Sequence, residues 1–530
     1  MNFLIVVNTN TYSLWHGIAV QLKSLYPESR FAAIISGHGN IKGALEKQED
    51  VKYEYVYEIT HIERKFLKEE VPYKVLREFE ATIPEKSLWR FIAIDRKWGY
   101  QFSKGAIPVS LVPKKEIHCE NILKVAGGYV KYFKDILAGF NTNVVIFRMG
   151  MHSFVAPILE QVCKNMNIIH ITPVETRIQN YFSLTSVKEY LFPQINSTYK
   201  KIMEGQLPMD LSPGKKSYEE MLCSIEKKNT SYYFDQGNIN IKRIEQRVKH
   251  CSIIVVSLRG IVGRTINWFR YRKLDKNKLS EDKMLSEETS RYTIKGLFYS
   301  YYYSLYKSYQ MKKLFNENFF DEYDPEEKYL YFPLNAVPEY TIQVQANMWI
   351  NQLHIIETLA KSIPFDWKVY VKEHPSQVAG RARSCSFYKE IKSYSNVKFI
   401  PFETDGHQII KNSQIVVNIT GTTGWEAILF HGKPVITFAE STYEICKLSK
   451  RVSCLAELSR EINKECKRIK NISLEERRKR LVCFLNAVLL HSCWVDNPLT
   501  ITGDEECTLE EGKITGKIIG DTIKKYLNGQ

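Results

Sequence analysis

The pattern with the sharpest chemical content lies at residues 415–426. An apolar run, Ile415–Ile419, leads directly into Thr420-Gly421-Thr422-Thr423-Gly424 and then into a helical stretch that begins Trp425-Glu426. At the carboxyl edge of an open α/β sheet, helix N-termini offer unbonded N–H groups and the positive end of the helix dipole, and ligands collect there. Small residues let the backbone approach a diphosphate, and threonine hydroxyls add donors. Thr423 and Glu426 also have the Thr-x-x-Glu spacing of a capping box. Glu426 therefore has two readings that do not exclude each other: the carboxylate that closes the helix start, and an acceptor for ribose hydroxyls.

A second pattern, Lys372-Glu373-His374-Pro375, follows the apolar run Trp367–Val371. A residue before proline is held extended, so His374 is expected to project from the sheet edge, where it can donate to a phosphate or orient a sugar. The same dipeptide also serves as a plain turn. Asn335 and Glu339 follow the run Tyr329–Pro333 and are candidates for the cleft, with a solvated helix-start carboxylate as the other reading of Glu339. In the N-terminal half, Asn8, Asn10 and His16 follow one apolar run, Arg148 and His152 another, and Glu175 and Arg177 a third. Strand ends there are expected to serve the acceptor, with Glu175 and His152 as candidate bases and His16 and Arg148 as further cleft residues. The chain has no Asp-x-Asp, no CxxC and no Cys/His group at zinc spacing, so neither a metal nor a cofactor is expected.

Such residues need parallel sheets to hold them along one edge. Phe3–Val7, a helical stretch over Tyr12–Leu25 and Phe31–Ile35 make a β-α-β opening, which Val144–Phe147, Phe154–Met166 and Ile168–Ile171 repeat. Runs at Trp367–Val371, Val397–Ile400, Ile415–Ile419 and Pro434–Phe438 alternate with helical stretches and predict a second doubly wound domain. The expected order is an N-terminal Rossmann-like, acceptor-side domain over 1–182, a basic, aromatic-rich helical and irregular insertion over 183–320, a C-terminal Rossmann-like nucleotide-sugar domain over 328–500, and a tail with a helix over 501–530. The acidic, proline-containing stretch Asp321–Glu327 is the expected linker. The amphipathic stretch Lys513–Leu527 is suited to pack back on the first domain.

At 530 residues the chain exceeds what one core organises, and 44% hydrophobic with 25% charged residues is the composition of a folded protein. No run approaches the roughly 20 apolar residues of a membrane span, and Met1–Asn8 reads as a strand, not a signal peptide. Eleven scattered cysteines suit a reducing cytoplasm. The net charge of +15 asks for an anionic partner. Much of the excess lies in Lys242–Lys273, where Glu245 is the single acid, interleaved with Trp268 and Phe269 and followed by tyrosines up to Tyr309. That segment is either a solvated helical face or a footing on an anionic membrane surface. No nucleic-acid motif accompanies it, and nucleic acid is not an expected partner.

The ordered series Tyr329–Asn335, Pro338-Glu339, Val371–Pro375, Thr420–Ala427 and Gly432-Lys433-Pro434-Val435 resembles bacterial capsule polysaccharide biosynthesis proteins, a group that includes retaining β-Kdo transferases. The resemblance covers roughly residues 328 to 450. It implies a GT-B glycosyltransferase with two Rossmann-like domains facing a cleft and a metal-independent reaction. By position, His374, Thr422, Thr423 and Glu426 inherit donor-nucleotide binding. Where Kdo-transferring members carry an aromatic Gly-Trp-Gly sequence, this chain has Ala439-Glu440-Ser441-Thr442-Tyr443. The expected donor is therefore a CMP-, UDP- or other nucleotide-linked sugar, and the expected acceptor a glycan or lipid-linked chain at the cytoplasmic face of the membrane. A nucleotide-sugar epimerase, a polyol-phosphate transferase on the same fold and a non-catalytic capsule assembly or export partner are the rival readings.

Overall fold

The run Phe3–Val7, apolar at every position, is wholly buried at the centre of a sheet. A parallel strand covered by helices on both faces takes such a continuous apolar sequence because neither side meets water. The computed structural model describes residues 1–8, 11–36, 41–59, 62–95, 98–99, 118–147, 153–185, 192–226, 319–337, 341–374, 383–498 and 507–529, with the single positions 102, 262, 265, 266, 269, 339, 377 and 501.

Two units divide the chain. Met1–Ile94, His118–Tyr218 and Val482–Gln530 make the first; Glu219–Leu481, with Asp95–Ile117, makes the second. The first sheet contains β1 (Asn2–Asn8), β2 (Arg30–Ser36), β3 (Tyr53–Glu58), β4 (Val144–Ile146), β5 (Ile169–Glu175) and β6 (Tyr181–Thr185), with Ser492–Trp494 as an outer edge. Its spatial order is Ser492–Trp494, β6, β5, β4, β1, β2, β3. Every pairing from β5 to β3 is parallel, whereas β6 is antiparallel to both of its neighbours.

The expected C-terminal helix spans Leu509–Asn528, opened by a capping box between Thr508 and Glu511, and it lies on the helix Tyr12–Leu25. A Cβ on Gly516 would stand 2.5 Å from the Gly17 carbonyl carbon, and one on Gly17 would stand 2.2 Å from the Gly512 oxygen. Only glycine at these positions lets the two helix backbones touch. Ser13 Oγ donates to the Cys507 carbonyl at 2.7 Å and Gln21 Nε2 to Asp521 Oδ1 at 2.7 Å, which fixes the register of the crossing.

The second sheet contains β7 (Tyr329–Pro333), β8 (Lys368–Lys372), β9 (Val397–Ile400), β10 (Ile415–Asn418), β11 (Val435–Thr437) and β12 (Lys450–Arg451). Its order is β12, β11, β10, β7, β8, β9 and every pairing is parallel. Counted from β7, this is the doubly wound order 3-2-1-4-5-6, the Rossmann arrangement. One face, with Leu330, Phe332, Val369, Val371, Ile415 and Val417, is covered by the helices Gln352–Ser362 and Leu458–Lys470. The other face carries Tyr329 and Tyr370, whose rings stack at 3.9 Å and 4°.

Three expected boundaries move. Residue 182 falls inside β6, because its ladder with β5 extends to Thr185. The second unit ends at Leu481, since Ser492–Trp494 adds an edge to the first sheet. Asp321–Glu327 is not a free linker: the Asp321 carboxylate accepts from the Phe399 N–H at 2.7 Å and pairs with Lys392 at 3.2 Å, and Glu327 pairs with Lys398 at 2.6 Å. Of the expected insertion, the described part contains the helices Pro193–Met203 and Ser212–Glu226.

Candidate functional site

In a sheet of this order the strand sequence reverses between β7 and β10, and the crevice beyond their carboxyl ends is where ligands bind. β7 delivers Asn335 to that point and β10 delivers Gly421. A Cβ on Gly421 would lie 3.9 Å from Asn335 Nδ2 and 3.9 Å from Asn418 Nδ2, with nothing nearer among the described residues, so toward them the side of this turn is open. Two side chains hold the turn. Asn418 Nδ2 and the Tyr443 hydroxyl both donate to the Gly421 carbonyl, at 3.0 and 3.1 Å. Gly424 packs directly under Tyr443, because a Cβ there would stand 2.3 Å from the phenol oxygen. Its smallness thus serves packing and not phosphate approach.

The helix Thr422–His431 has Gly421 as its N-cap, with no side-chain cap. This corrects the capping-box reading of Thr423 and Glu426, since the helix begins one residue before Thr423. Its first-turn N–H groups lack intrahelical acceptors, and the half-buried Thr422 and Thr423 stand beside them. Thr420 has a different role: its hydroxyl is buried and donates to the Glu440 carbonyl at 2.7 Å.

Glu426 stands one helical turn after Thr422. Burial pushes its carboxyl up, against the opposing pull of His407, the Thr422 hydroxyl and Lys372. Lys372, at the end of β8, donates to the Thr404 carbonyl. Burial holds its ammonium down at about 8, while Asp405, Glu426 and Glu403 pull the other way. His407 follows Asp405, the N-cap of Gly406–Asn412, and its Nδ1 lies 3.3 Å from His431 Nε2. Burial and the nearby cations depress His431 to about 4, so it is neutral at pH 7. A cation, a carboxyl group and an imidazole from three successive strand ends thereby meet at one edge.

Beneath them lies a buried ion pair. Arg383 Nε donates to Glu373 Oε2 at 2.9 Å, with the two side chains 0% and 2% exposed. Arg383 also donates to the Asn335 carbonyl. Glu373 Oε1 accepts from the His374 N–H at 2.7 Å, and Glu373 Oε2 accepts from the Tyr388 hydroxyl at 2.7 Å. Gln352 exchanges two hydrogen bonds with the Asn335 backbone, at 2.8 and 3.1 Å. Glu339 is half-buried and precedes a π-helical turn, Thr341–Gln345.

The second sheet therefore brings Asn335, Lys372, His374, Gly421, Thr422, Thr423 and Glu426 to one edge. The first sheet treats its candidates differently. His16 lies within the helix Tyr12–Leu25, 3% exposed, with Nδ1 3.1 Å from the Tyr53 hydroxyl. Burial lowers its pKa, which identifies a neutral core histidine and corrects its reading as a cleft residue. Glu175, at the end of β5, is buried 3.8 Å from Arg177, whose φ of 65° is left-handed. Arg148, His152, Pro375 and Asn10 lie outside the described residues, as does most of Lys242–Tyr309. Within that segment Val262, Ile266 and Phe269 are helical and 56, 56 and 61% exposed, at spacings that share one helix face.

Sequence reasoning missed Arg383, His407 and Tyr443. Asn418 had a signal, a polar residue closing an otherwise apolar strand. Arg383 had none, since its charge is indistinguishable in sequence from that of a solvated arginine.

Residues 266–468 match the family described as "Capsule polysaccharide biosynthesis protein". The match spans less than half of the chain and contains every donor-side residue named above. It agrees with the resemblance carried by the motifs. No curated protein matches the chain. Among solved structures, similarity extends to a UDP-GlcNAc 2-epimerase from Neisseria meningitidis (11% identity, 92% of this chain and 100% of that one, TM-score 0.24). It extends also to KpsC, a beta Kdo 2,4 transferase from Thermosulfurimonas dismutans (18% identity, 37% and 53%, TM-score 0.24). A glycosyltransferase from Rickettsia africae is 11% identical over 99% of this chain and 98% of its own, with a TM-score of 0.24. Likenesses so remote carry no functional weight, and the two Rossmann-like units rest on their strand orders.

Proposed function

We propose that this protein is a GT-B glycosyltransferase that moves a sugar from a nucleotide-sugar donor to a capsular polysaccharide or lipid-linked acceptor. The observation that carries the reading is the convergence of Asn335, Lys372, the open Gly421 turn and Glu426 at the switch point of one Rossmann sheet, inside the segment that matches the capsule family. In this reading the donor's phosphate or diphosphate sits on the first-turn N–H groups of Thr422–His431, with the Lys372 ammonium beside it. Negative charge builds on the departing nucleotide phosphate as the glycosidic bond breaks, and fixed N–H dipoles plus one cation stabilise it without a divalent ion. Glu426, one turn along the helix from Thr422, accepts from ribose hydroxyls. The acceptor-side base is assigned to Glu175 or His152. The protein works in the cytoplasm, and the basic-aromatic segment holds it to the inner face of the cell membrane.

The deciding experiment is a thermal-shift series with CMP, UDP, GDP and their sugars, followed by product analysis with and without glycan acceptor. A ligand that binds only the folded protein raises its melting temperature. One nucleotide class should stabilise the protein, and sugar transfer should require acceptor. An isomerised nucleotide-sugar formed without acceptor would mean epimerisation, and no stabilisation by any nucleotide would mean a non-catalytic assembly partner.

A further inference from the structure

We propose that Arg383 is a positioning residue of the donor site: by bonding Glu373 and the Asn335 carbonyl together, it fixes Asn335, in the loop after β7, against Glu373 and His374, in the loop after β8. The inference rests on the donor reading above. Both loops leave the sheet beside each other, and the Leu334 N–H already donates to the Lys372 carbonyl at 2.9 Å. Beyond that bond the β ladder ends, and side chains take over. Gln377 bridges the same two loops, because its side-chain Oε1 accepts from Val337 N–H at 2.7 Å while its backbone N–H donates to the His374 carbonyl at 2.9 Å. Arg383 is the centre of the tie. Its Nε holds Glu373, whose other oxygen holds the His374 N–H, and its second arm holds Asn335.

A planar guanidinium can address two acceptors at a fixed angle, which a lysine ammonium cannot do with equal geometry. The guanidinium is also stacked over Phe387, 4.7 Å from the ring centroid. Tyr388 completes the arrangement: burial and the Glu373 carboxylate keep its phenol protonated well above the usual range, so it remains a donor. Arg383 is wholly buried, with Nε and one Nη bonded and its other Nη buried without a partner among the described residues. Among the described residues, its bonds connect it to His374, through Glu373, and to Asn335.

Loss of one member of a buried pair strands the other, so Arg383→Ala is a poor probe. Arg383→Lys keeps the charge, Glu373→Gln keeps an acceptor for Arg383, and Tyr388→Phe deletes only the 2.7 Å phenol bond. Three readouts apply to each: melting temperature, affinity for the nucleotide the wild type binds, and amide exchange at Leu334, Asn335, Val337 and His374 compared with the β10 amides. A positioning role predicts faster exchange at those four amides with β10 unchanged, and nucleotide affinity about tenfold weaker in Arg383→Lys. In turnover, donor KM should rise while acceptor KM stays constant. Tyr388→Phe should shift both readouts in the same direction by less. Unchanged affinity and local exchange in a folded Arg383→Lys would overturn the proposal, as would a uniform rise in exchange with affinity intact. If the wild type bound no nucleotide, the donor reading would fail, and the exchange comparison would still decide whether Arg383 orders the two loops.

Discussion

Thr422 and Glu426 lie one turn apart on the same helix, and the Thr422 hydroxyl favours the ionised form of the Glu426 carboxyl against its burial. Gly421 is the N-cap of that helix without a side-chain bond, so the Glu426 carboxyl does not close the helix start. Burial disfavours the ionised form of Glu426, so its presence costs stability that a binding role repays.

Glu426→Gln removes the charge and retains the shape. Nucleotide affinity should fall about tenfold or more, the range of a hydrogen bond to a charged group, while the melting temperature holds or rises. Calorimetry and thermal denaturation measure the two. A lower melting temperature with intact affinity would make Glu426 a structural residue only.

Lys372 gives a pH signature. Its pKa is depressed from 10.5 to about 8. Between those values the unfolded chain binds more protons than the native one, so the Lys372 contribution to stability rises with pH across that window. Phosphate binding needs the ammonium, so nucleotide affinity should fall as pH rises through about 8. The opposed trends should both be missing from Lys372→Met. A wild-type affinity profile flat from pH 7 to 9.5 would remove Lys372 from the phosphate site.

Gly424→Ala places a methyl 2.3 Å from the Tyr443 phenol oxygen and 2.7 Å from Asn418 Nδ2. Overpacking of this kind costs about 1–3 kcal/mol. Urea denaturation should show that loss, and adding Tyr443→Phe should recover part of it because the nearest atom is gone. No recovery would locate the strain elsewhere in the turn.

Activity should persist in EDTA, because the proposed phosphate contacts are N–H groups and one ammonium. Loss on chelation that magnesium or manganese restores would show that a divalent ion takes part.

The basic-aromatic segment should bind anionic vesicles at low salt and release them at high salt, at about 1 kcal/mol per cation near the surface. Replacing Arg264, Arg270, Arg272 and Lys273 with Gln should weaken that binding and leave nucleotide affinity unchanged. Phe269→Ser tests the exposed apolar face shared with Val262 and Ile266. Equal vesicle binding by the quadruple variant would put the footing elsewhere on the protein.

The sequence by itself determined the strands and the edge on which chemistry sits. Uninterrupted apolar runs such as Phe3–Val7 and Ile415–Ile419 leave a chain few alternatives to a buried parallel strand, and the residues that follow such a strand must lie at its carboxyl edge. Asn335, Lys372, His374 and the Gly421 turn were legible for that reason. Tertiary structure decided which side chains the edge uses. Thr420 and Gly424 belong to the same motif as Thr422, yet one is bonded to Glu440 and the other is packed under Tyr443. His16 turned into the core because it lies within a helix and Tyr53 offers it a partner there. Arg383 and His407 were invisible, because their significance depends on partners distant in the chain: Asn335 for the first and Glu426 for the second. Local pattern fixes strand and edge through backbone sterics and burial, whereas a charge acquires its function only from the neighbours that folding supplies.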